Sequence, residues 1–222
     1  ERADTYSSAL YVSEYELSTY MEEMINAFRA YADVKRISLT YESNFRYMNT
    51  WLDKDKMDSI LKNLISNALK YTPEGGSVHI YTAETEDYWS VEVKDTGIGI
   101  PSSEQKKLFK IHFRGSNAIN SKVTGSGIGL LLVWKLVHLH KGKINFTSTE
   151  GKGSCIKVTF PKGEKPYRKA IHSPKPGSEK VAYAESGVPK NITPNIAYDA
   201  TKQKQQQNSD LPKILIVEDN RS

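Results

Sequence analysis

The stretch KMDSILKNLISNALKYTPEGG, residues 56–76, decides the fold prediction, because it joins a core-facing helix stripe to an unusual polar flank. Apolar side chains recur in it at helical spacing and predict a buried stripe. They are Met57, Leu61, Leu64, Ile65 and Ala68. Beside the stripe, Asn63, Asn67 and Lys70 follow one another at i, i+4 and i+7 and share a second face. Thr72-Pro73 and Gly75-Gly76 end the helix.

The polar flank has two interpretations on the helix alone. Asparagine is a poor helix former because its side chain competes for backbone hydrogen bonds, so two in mid-helix call for an explanation. One interpretation is a flank that only touches solvent. The other is a site for a metal-bound anion, because amide oxygens suit a hard cation such as Mg2+ and an ammonium group suits phosphate.

Composition favours an ordinary globular domain with additional segments. The chain has 222 residues, of which 38% are hydrophobic and 26% charged. Its apolar runs are all shorter than the roughly 20 residues of a membrane helix. Cys155 is the only cysteine, which excludes an intrachain disulfide and fits a reducing compartment. We interpret Cys155 as a small core residue rather than a reactive thiol.

The net charge of +5 comes almost entirely from one segment. Between Pro161 and Pro212 there are nine Lys and Arg against five Asp and Glu. The same segment holds seven of the nine prolines and a KQKQQQNSD run, which is linker composition. The remaining chain is near neutral and shows no basic stripe, so we predict no direct binding of nucleic acid.

Helix and strand patterns precede and follow the polar helix. Ser13 and Glu16 have the spacing of a capping box, so residues 14–33 read as an amphipathic helix. Residues 36–42 and 46–52 read as strands, and Asp53 or Asp55 lies near the start of the polar helix. Two further strands are predicted in SVHIYTAE, 77–84, and YWSVEVKD, 88–95.

Asp95 ends the second of these strands in phase with its apolar residues, so its carboxylate should point toward the core side. A buried lone carboxylate is costly unless it accepts hydrogen bonds. DTGIGIP, 95–101, then breaks the strand. After it we predict a short helix over 102–110 and a polar loop to 124, whose length suggests a lid.

Three glycines, Gly125, Gly127 and Gly129, open directly into an apolar helix over 130–140. Free N–H groups and the positive end of the dipole favour phosphate there, although a plain turn is the other interpretation. The motif is not GxxxxGK[ST], and it does not follow a strand as a dinucleotide fingerprint does. Strands over 143–149 and 154–160 form a predicted hairpin.

In this order and spacing the motifs resemble the ATP-binding catalytic domain of bacterial sensor histidine kinases. NLISNALKYTPEGG is similar to the N box, DTGIGIP to the first glycine box, LFKIHFRG to the F box and GSGIGL to the second glycine box. The resemblance covers residues 30–161. It implies an α+β fold, a two-layer α/β sandwich with a mixed sheet of about five strands and three helices on one face.

The resemblance also implies ATP and Mg2+ as ligands and a role for each motif. Asp95 would accept the adenine amino group, and Asn67 with Asn63 would hold Mg2+. Lys70 and Arg114 would neutralise phosphate oxygens, residues 97–125 would form the ATP lid, and Phe109 and Phe113 would anchor it. The implied nucleotide-binding set is Asn63, Asn67, Lys70, Tyr71, Asp95, Gly97, Gly99, Ile100, Arg114, Gly125, Ser126, Gly127, Ile128, Gly129 and Leu130. Ser126 stands where the family usually has Thr, and Lys141 where a second Gly is usual.

The reaction implied is transfer of the ATP γ-phosphoryl group to a histidine on an upstream dimerisation domain. Related gyrase and heat-shock ATPases carry a general-base Glu where this chain has Asn63, which disfavours hydrolysis. The alternatives are an ATP hydrolase of that superfamily and an inert nucleotide-sensing module. None of the five histidines lies in the family's H-[ED]-L-R-T-P setting; they are His79, His112, His138, His140 and His172, and we interpret each as a surface or packing residue.

ILIVEDN near the end resembles the first strand of a receiver domain, with Glu218 and Asp219 as its acidic pair. The predicted organisation is 1–29 as the end of a dimerisation region and connecting helix, 30–161 as the catalytic domain, 162–211 as a linker and 212–222 as the start of a receiver. This is the order of a hybrid two-component kinase. By resemblance the full-length protein is a homodimer, anchored in the bacterial inner membrane with this region on the cytoplasmic side.

Overall fold

The structure is a computed structural model that describes residues 9–108 and 128–172. In this part of the chain there are three α-helices and eight strands. The helices are α1 Leu17–Val34, α2 Lys54–Tyr71 and α3 Gly129–Leu139. The strands are β1 Tyr11–Glu16, β2 Ser38–Ser43, β3 Asn49–Leu52, β4 Ser77–Glu84, β5 Tyr88–Asp95, β6 Lys143–Thr149, β7 Gly153–Pro161 and β8 Ile171–His172.

The main sheet has five strands in the order β2-β4-β5-β7-β6. Its β2–β4 pair is parallel and the other pairs are antiparallel, so the sheet is mixed. Alternate residues such as Val78 and Ile80 of β4 and Val91 and Val93 of β5 are buried. The helices contact this sheet, α1 at β2, α2 at β5 and α3 at β6 and β7. The predicted two-layer sandwich with a five-stranded mixed sheet and three helices is confirmed.

Helix α2 forms the centre of the helical layer, and all five residues of its predicted stripe are buried. Its N-terminus is capped by Asp53, whose carboxylate accepts the Lys56 N–H at 3.1 Å. Its C-terminus is capped by Lys35, whose Nζ donates to the carbonyl oxygens of Leu69 and Lys70. Both ends of the helix that carries the asparagines are therefore held by buried or half-buried side chains.

The predicted capping box at Ser13 is wrong. Residues 11–16 form β1, which pairs antiparallel with β3 and parallel with β8, so the helix begins only at Leu17. Glu16 caps the helix itself, because its carboxylate accepts the N–H groups of Ser18 and Thr19. These bonds lower the pKa of Glu16 to about 2, against the opposing effect of desolvation. Strand pairing with distant residues is invisible in the local spacing that suggested the box.

The strands β3, β1 and β8 form a second sheet that the sequence did not predict. Tyr167 is 2% exposed and packs with Leu10 and Val12 in a small core beside it. Residues 162–170, predicted as linker, therefore fold against the domain because Tyr167 supplies a large apolar anchor. The predicted boundary at residue 30 falls inside α1, whose buried face runs on to Ala32. The domain assignments themselves stay a prediction.

The segment after the DTGIGIP motif differs from its prediction. Instead of a helix starting at 102, a turn leads into a 3-10 helix at Gln105–Lys107, and Leu108 is buried. Residues 109–127 lie outside the described residues, as do 1–8 and 173–222. None of the helices in the described ranges combines the length and apolar content that a bilayer-crossing segment requires.

Candidate functional site

The asparagine flank of α2 faces the beginning of α3. A methyl group at Gly129 would collide with Oδ1 of Asn63 and would lie 3.9 Å from Nδ2 of Asn67. Asn63 donates from Nδ2 to the Ser59 carbonyl oxygen at 2.7 Å, which directs its Oδ1 away from the α2 backbone. Both asparagines are half-buried. The amide oxygen of Asn63 therefore lies at the N-terminus of α3, where phosphate is favoured.

The N-terminus of α3 receives no cap from the side chain of its own N-cap residue. Ile128 is the N-cap residue, and its side chain makes no capping hydrogen bond to the first N–H groups of the helix. Gly129 and Leu130 follow and are half-buried. Helix N-termini without such a cap leave backbone donors for a ligand or water.

Asp95 ends β5 as predicted, half-buried and hydrogen-bonded. Its Oδ1 accepts the N–H of Gly97 at 2.8 Å and the N–H of Ser154 at 3.2 Å. Burial raises the pKa of Asp95, and the two hydrogen bonds offset only part of that effect. Both of these bonds go to Oδ1, and no described residue donates to Oδ2.

The loop after Asp95 passes between α2 and the β6–β7 hairpin without room for side chains at two positions. A methyl group at Gly97 would lie 2.6 Å from the Tyr71 carbonyl oxygen, and one at Gly99 would collide with the Thr149 backbone. Gly99 also has φ +62°, which favours glycine. The Ile98 N–H donates to the Tyr71 carbonyl oxygen at 3.1 Å. The end of α2 and the Asp95 loop are thus joined directly.

Lys70 and Tyr71 close the same end of α2. The Lys70 ammonium lies 5.5 Å from the centroid of the Tyr71 ring, and both side chains are half-buried. A half-buried cation beside the asparagine flank adds positive charge where an anion would bind. The predicted residues of α2, the Asp95 loop and the start of α3 are therefore brought together in space.

Four of the predicted nucleotide-binding residues lie outside the described residues. They are Arg114, Gly125, Ser126 and Gly127, and the predicted lid anchors Phe109 and Phe113 lie there as well. Lys141, the departure at the end of α3, has φ +57°, which explains why a glycine is usual at that position. Sequence reasoning missed Gln105 and Ser148, which contact the loop at Ile100. Only the hairpin register, not a motif, would have pointed to Ser148.

The described histidines fit the interpretation as packing or surface residues. His140 is fully buried, its Nδ1 meets the Leu136 carbonyl oxygen at 2.8 Å, and burial lowers its pKa. His79 contacts Thr40 on the sheet, and His138 is exposed beside Trp134. His112 lies outside the described residues, and only the backbone of His172 is described.

Comparison with known proteins gives one consistent family. The model of the family described as "Histidine kinase-, DNA gyrase B-, and HSP90-like ATPase" matches residues 52–164. The sensor histidine kinase WalK of Bacillus subtilis is 44% identical over 112 residues, 50% of this chain and 18% of WalK. The circadian input-output histidine kinase CikA of Synechococcus elongatus is 36% identical over 156 residues, 69% of this chain and 21% of CikA. This chain thus spans about a fifth of either relative.

The solved structures agree on the fold. The catalytic domain of the histidine kinase ThkA superposes with a TM-score of 0.61 at 24% identity, and the match covers 69% of this chain and 99% of the ThkA domain. A likeness at this identity bears on architecture, which is the sandwich described above. With the family match over half of its residues, the chain belongs to the histidine kinase-, DNA gyrase B- and HSP90-like ATPases and is homologous to sensor histidine kinases.

Proposed function

We propose that this domain binds ATP with its adenine at Asp95 and its phosphates between α2 and the start of α3. The observation that carries the proposal is the half-buried Asp95 carboxylate, whose Oδ1 accepts two N–H groups while no described residue donates to Oδ2. An adenine amino group would donate to Oδ2, and Gly97 and Gly99 let the loop beside Asp95 pack directly against the Tyr71 carbonyl oxygen and the Thr149 backbone. By resemblance Tyr71 would line the nucleotide, and Ile100 ends the loop.

The asparagine flank fits Mg2+ bound to phosphates. The amide oxygen of Asn63 is turned toward α3 by the Nδ2 bond to Ser59, and no described residue bonds the side chain of Asn67. Neutral amide oxygens suit a hard cation that takes its remaining ligands from phosphate and water. Bound there, Mg2+ would neutralise charge on the phosphates. Lys70 would add a second positive charge, and by resemblance Arg114 a third.

The reaction we propose is phosphoryl transfer rather than hydrolysis. Hydrolysis needs a base that activates water, and the position that supplies it in related ATPases is Asn63, whose amide cannot take up a proton. The next carboxylate on the helix, Asp58, is engaged by Tyr20, Lys54 and Lys62. Transfer to a protein nucleophile requires mainly positioning and charge neutralisation, which the site offers.

The acceptor we propose is a histidine on an upstream dimerisation domain, because the described histidines are away from the site. By family resemblance the whole protein would be a homodimer anchored in the bacterial inner membrane. The organisation predicted above, with residues 162–211 largely a linker and 212–222 the start of a receiver, would make it a hybrid kinase. A hydrolase and an inert nucleotide sensor are the competing functions.

One labelling experiment separates the three functions. The chain is mixed with a dimerisation domain bearing the acceptor histidine and with γ-labelled ATP and Mg2+. Label on histidine supports the kinase, free phosphate alone supports the hydrolase, and neither product supports the inert module. We expect label on histidine, its loss with Asn67→Ala, and no appreciable turnover by this chain alone. The control Ser59→Ala should retain the label, because it removes only the hydroxyl bond to the Asp55 carbonyl oxygen and keeps the backbone carbonyl that holds the Asn63 amide.

A further inference from the structure

Two polar side chains outside the family motifs hold the end of the Asp95 loop. The Ile100 N–H donates to Oγ of Ser148 at 2.8 Å, and the Ile100 carbonyl oxygen accepts from Nε2 of Gln105 at 3.1 Å. Both polar groups of one residue are therefore bound by side chains. The same Gln105 nitrogen donates to the Ser148 carbonyl oxygen at 2.9 Å. Its two N–H bonds bridge the loop and β6.

The hydroxyl group of Ser148 is fully used. It donates its single proton to the Gly153 carbonyl oxygen at 2.9 Å, so Ser154 must be the donor in the 2.9 Å contact between the two serine oxygens. With the Ile100 N–H, Ser148 then makes one donor and two acceptor bonds, the maximum for a hydroxyl. Because all of its hydrogen-bonding positions are occupied, the Ser148 hydroxyl is held in one orientation, and its bond to the Ile100 N–H fixes the position of Ile100.

The hairpin that carries Ser148 also orients Asp95. The Ser154 N–H donates to Asp95 Oδ1, and the Gly151 N–H donates to the Ile98 carbonyl oxygen at 2.8 Å. The carboxylate and the glycine loop are therefore both hydrogen-bonded to the β6–β7 hairpin. Gln105 completes this connection from the segment that follows the loop.

We propose that Gln105 and Ser148 are positioning residues for the base pocket, which set the distance between the Ile98–Ile100 backbone and the Asp95 carboxylate. They touch the loop and not the nucleotide, and they act on the affinity for adenine and on its selection over other purines. This inference rests on the proposed binding of adenine at Asp95. Loss of either side chain would let the loop move while Asp95 keeps its own hydrogen bonds.

Calorimetric binding of Mg-ATP and Mg-ITP to the whole 222-residue chain tests the inference. Gln105→Met keeps the length of the side chain but removes both N–H donors, and we expect ATP to bind about five- to tenfold more weakly. Binding of ITP, which lacks the amino group, should weaken less, so that the ratio of the two affinities falls. Ser148→Ala should weaken ATP binding and lower the ratio in the same way. Ser148→Thr keeps a hydroxyl at this position and should bind ATP like the unmodified chain. Ser103→Ala, an exposed change in the same segment, is the control.

Thermal unfolding shows whether each variant is folded. If Ser148→Ala does not fold, the binding data for Gln105→Met alone decide the inference. An unchanged ATP affinity in folded Gln105→Met, or an equal loss for ATP and ITP, overturns the inference while the proposed function stands. No binding of Mg-ATP by the unmodified chain refutes the proposed function, and this inference with it.

Discussion

The substitution Asp95→Asn separates the adenine contact from the structure that supports it. Asparagine can keep a carbonyl oxygen at the Oδ1 position, where it accepts from Gly97 and Ser154 at the present 2.8 and 3.2 Å. Its amino group then takes the place of Oδ2. Because this group and the adenine amino group are both donors, no hydrogen bond can form between them. A hydrogen bond to a charged acceptor contributes about 1.5–3 kcal/mol, so we expect ATP to bind about 10- to 150-fold more weakly.

The selectivity of the variant should shift from ATP toward ITP. ITP carries a 6-oxo group, which accepts from the new amino group, so the ratio of ATP to ITP affinity should fall below that of the unmodified chain. Calorimetry with both nucleotides measures it. Asp87→Asn, the same change at an exposed turn residue, is the control and should alter neither affinity. Equal ATP binding by Asp95→Asn and the unmodified chain would refute the assignment of Asp95 to the base.

The raised pKa of Asp95 also predicts how the stability of the same variant changes with pH. Because burial raises the pKa of Asp95, the folded state holds the proton more tightly than the unfolded chain does. Stability therefore decreases as pH rises from the ordinary carboxyl pKa through the raised pKa, and the ionised group costs stability at neutral pH. We expect Asp95→Asn to raise the thermal midpoint slightly at pH 7 and to have less effect at pH 4. ATP binding by the unmodified chain should weaken as pH falls through the raised pKa.

Two further predictions concern the buried contacts around the N-terminal strand. Asp53 and Lys56 form a buried ion pair at 2.9 Å, so Asp53→Ala should destabilise the domain by about 3–5 kcal/mol, and Asp53→Asn, which keeps the cap, should destabilise it by less. Urea unfolding measures the loss, with the exposed Asp55→Ala as control. A loss below about 1 kcal/mol for Asp53→Ala would contradict the prediction. Tyr167→Ala should cost about 3–5 kcal/mol because the ring is buried. Tyr167→Phe should cost less, because it removes only the hydroxyl that donates to the carbonyl oxygens of His140 at 3.3 Å and Pro161 at 3.5 Å. If Tyr167→Ala unfolds at the urea concentration of the unmodified chain, the packing of Tyr167 does not stabilise the domain.

Local pattern was sufficient for the main sheet and for α2. Met57 and Leu64 lie on the buried stripe that helical spacing predicted, and Asp95 ends its strand in phase with Val91 and Val93. Such residues are predictable because apolar residues on one buried face recur along the sequence with the period of the helix or strand. The ordered motifs extended this to the family and to most of the candidate site, since each motif occupies consecutive residues.

Contacts between distant residues decided the rest. Residues 11–16 became a strand because β3 and β8 pair with them across 30 to 160 residues, and Glu16 rather than Ser13 caps α1 as a result. Tyr167 carries no local sign of burial, and its partners Leu10 and Val12 lie at the other end of the domain. Gln105 and Ser148 both contact Ile100 only because the β6–β7 hairpin folds beside the glycine loop. The spacing of residues along the chain predicts which face of a helix or strand is buried. Which element packs against that face is decided only by the tertiary structure.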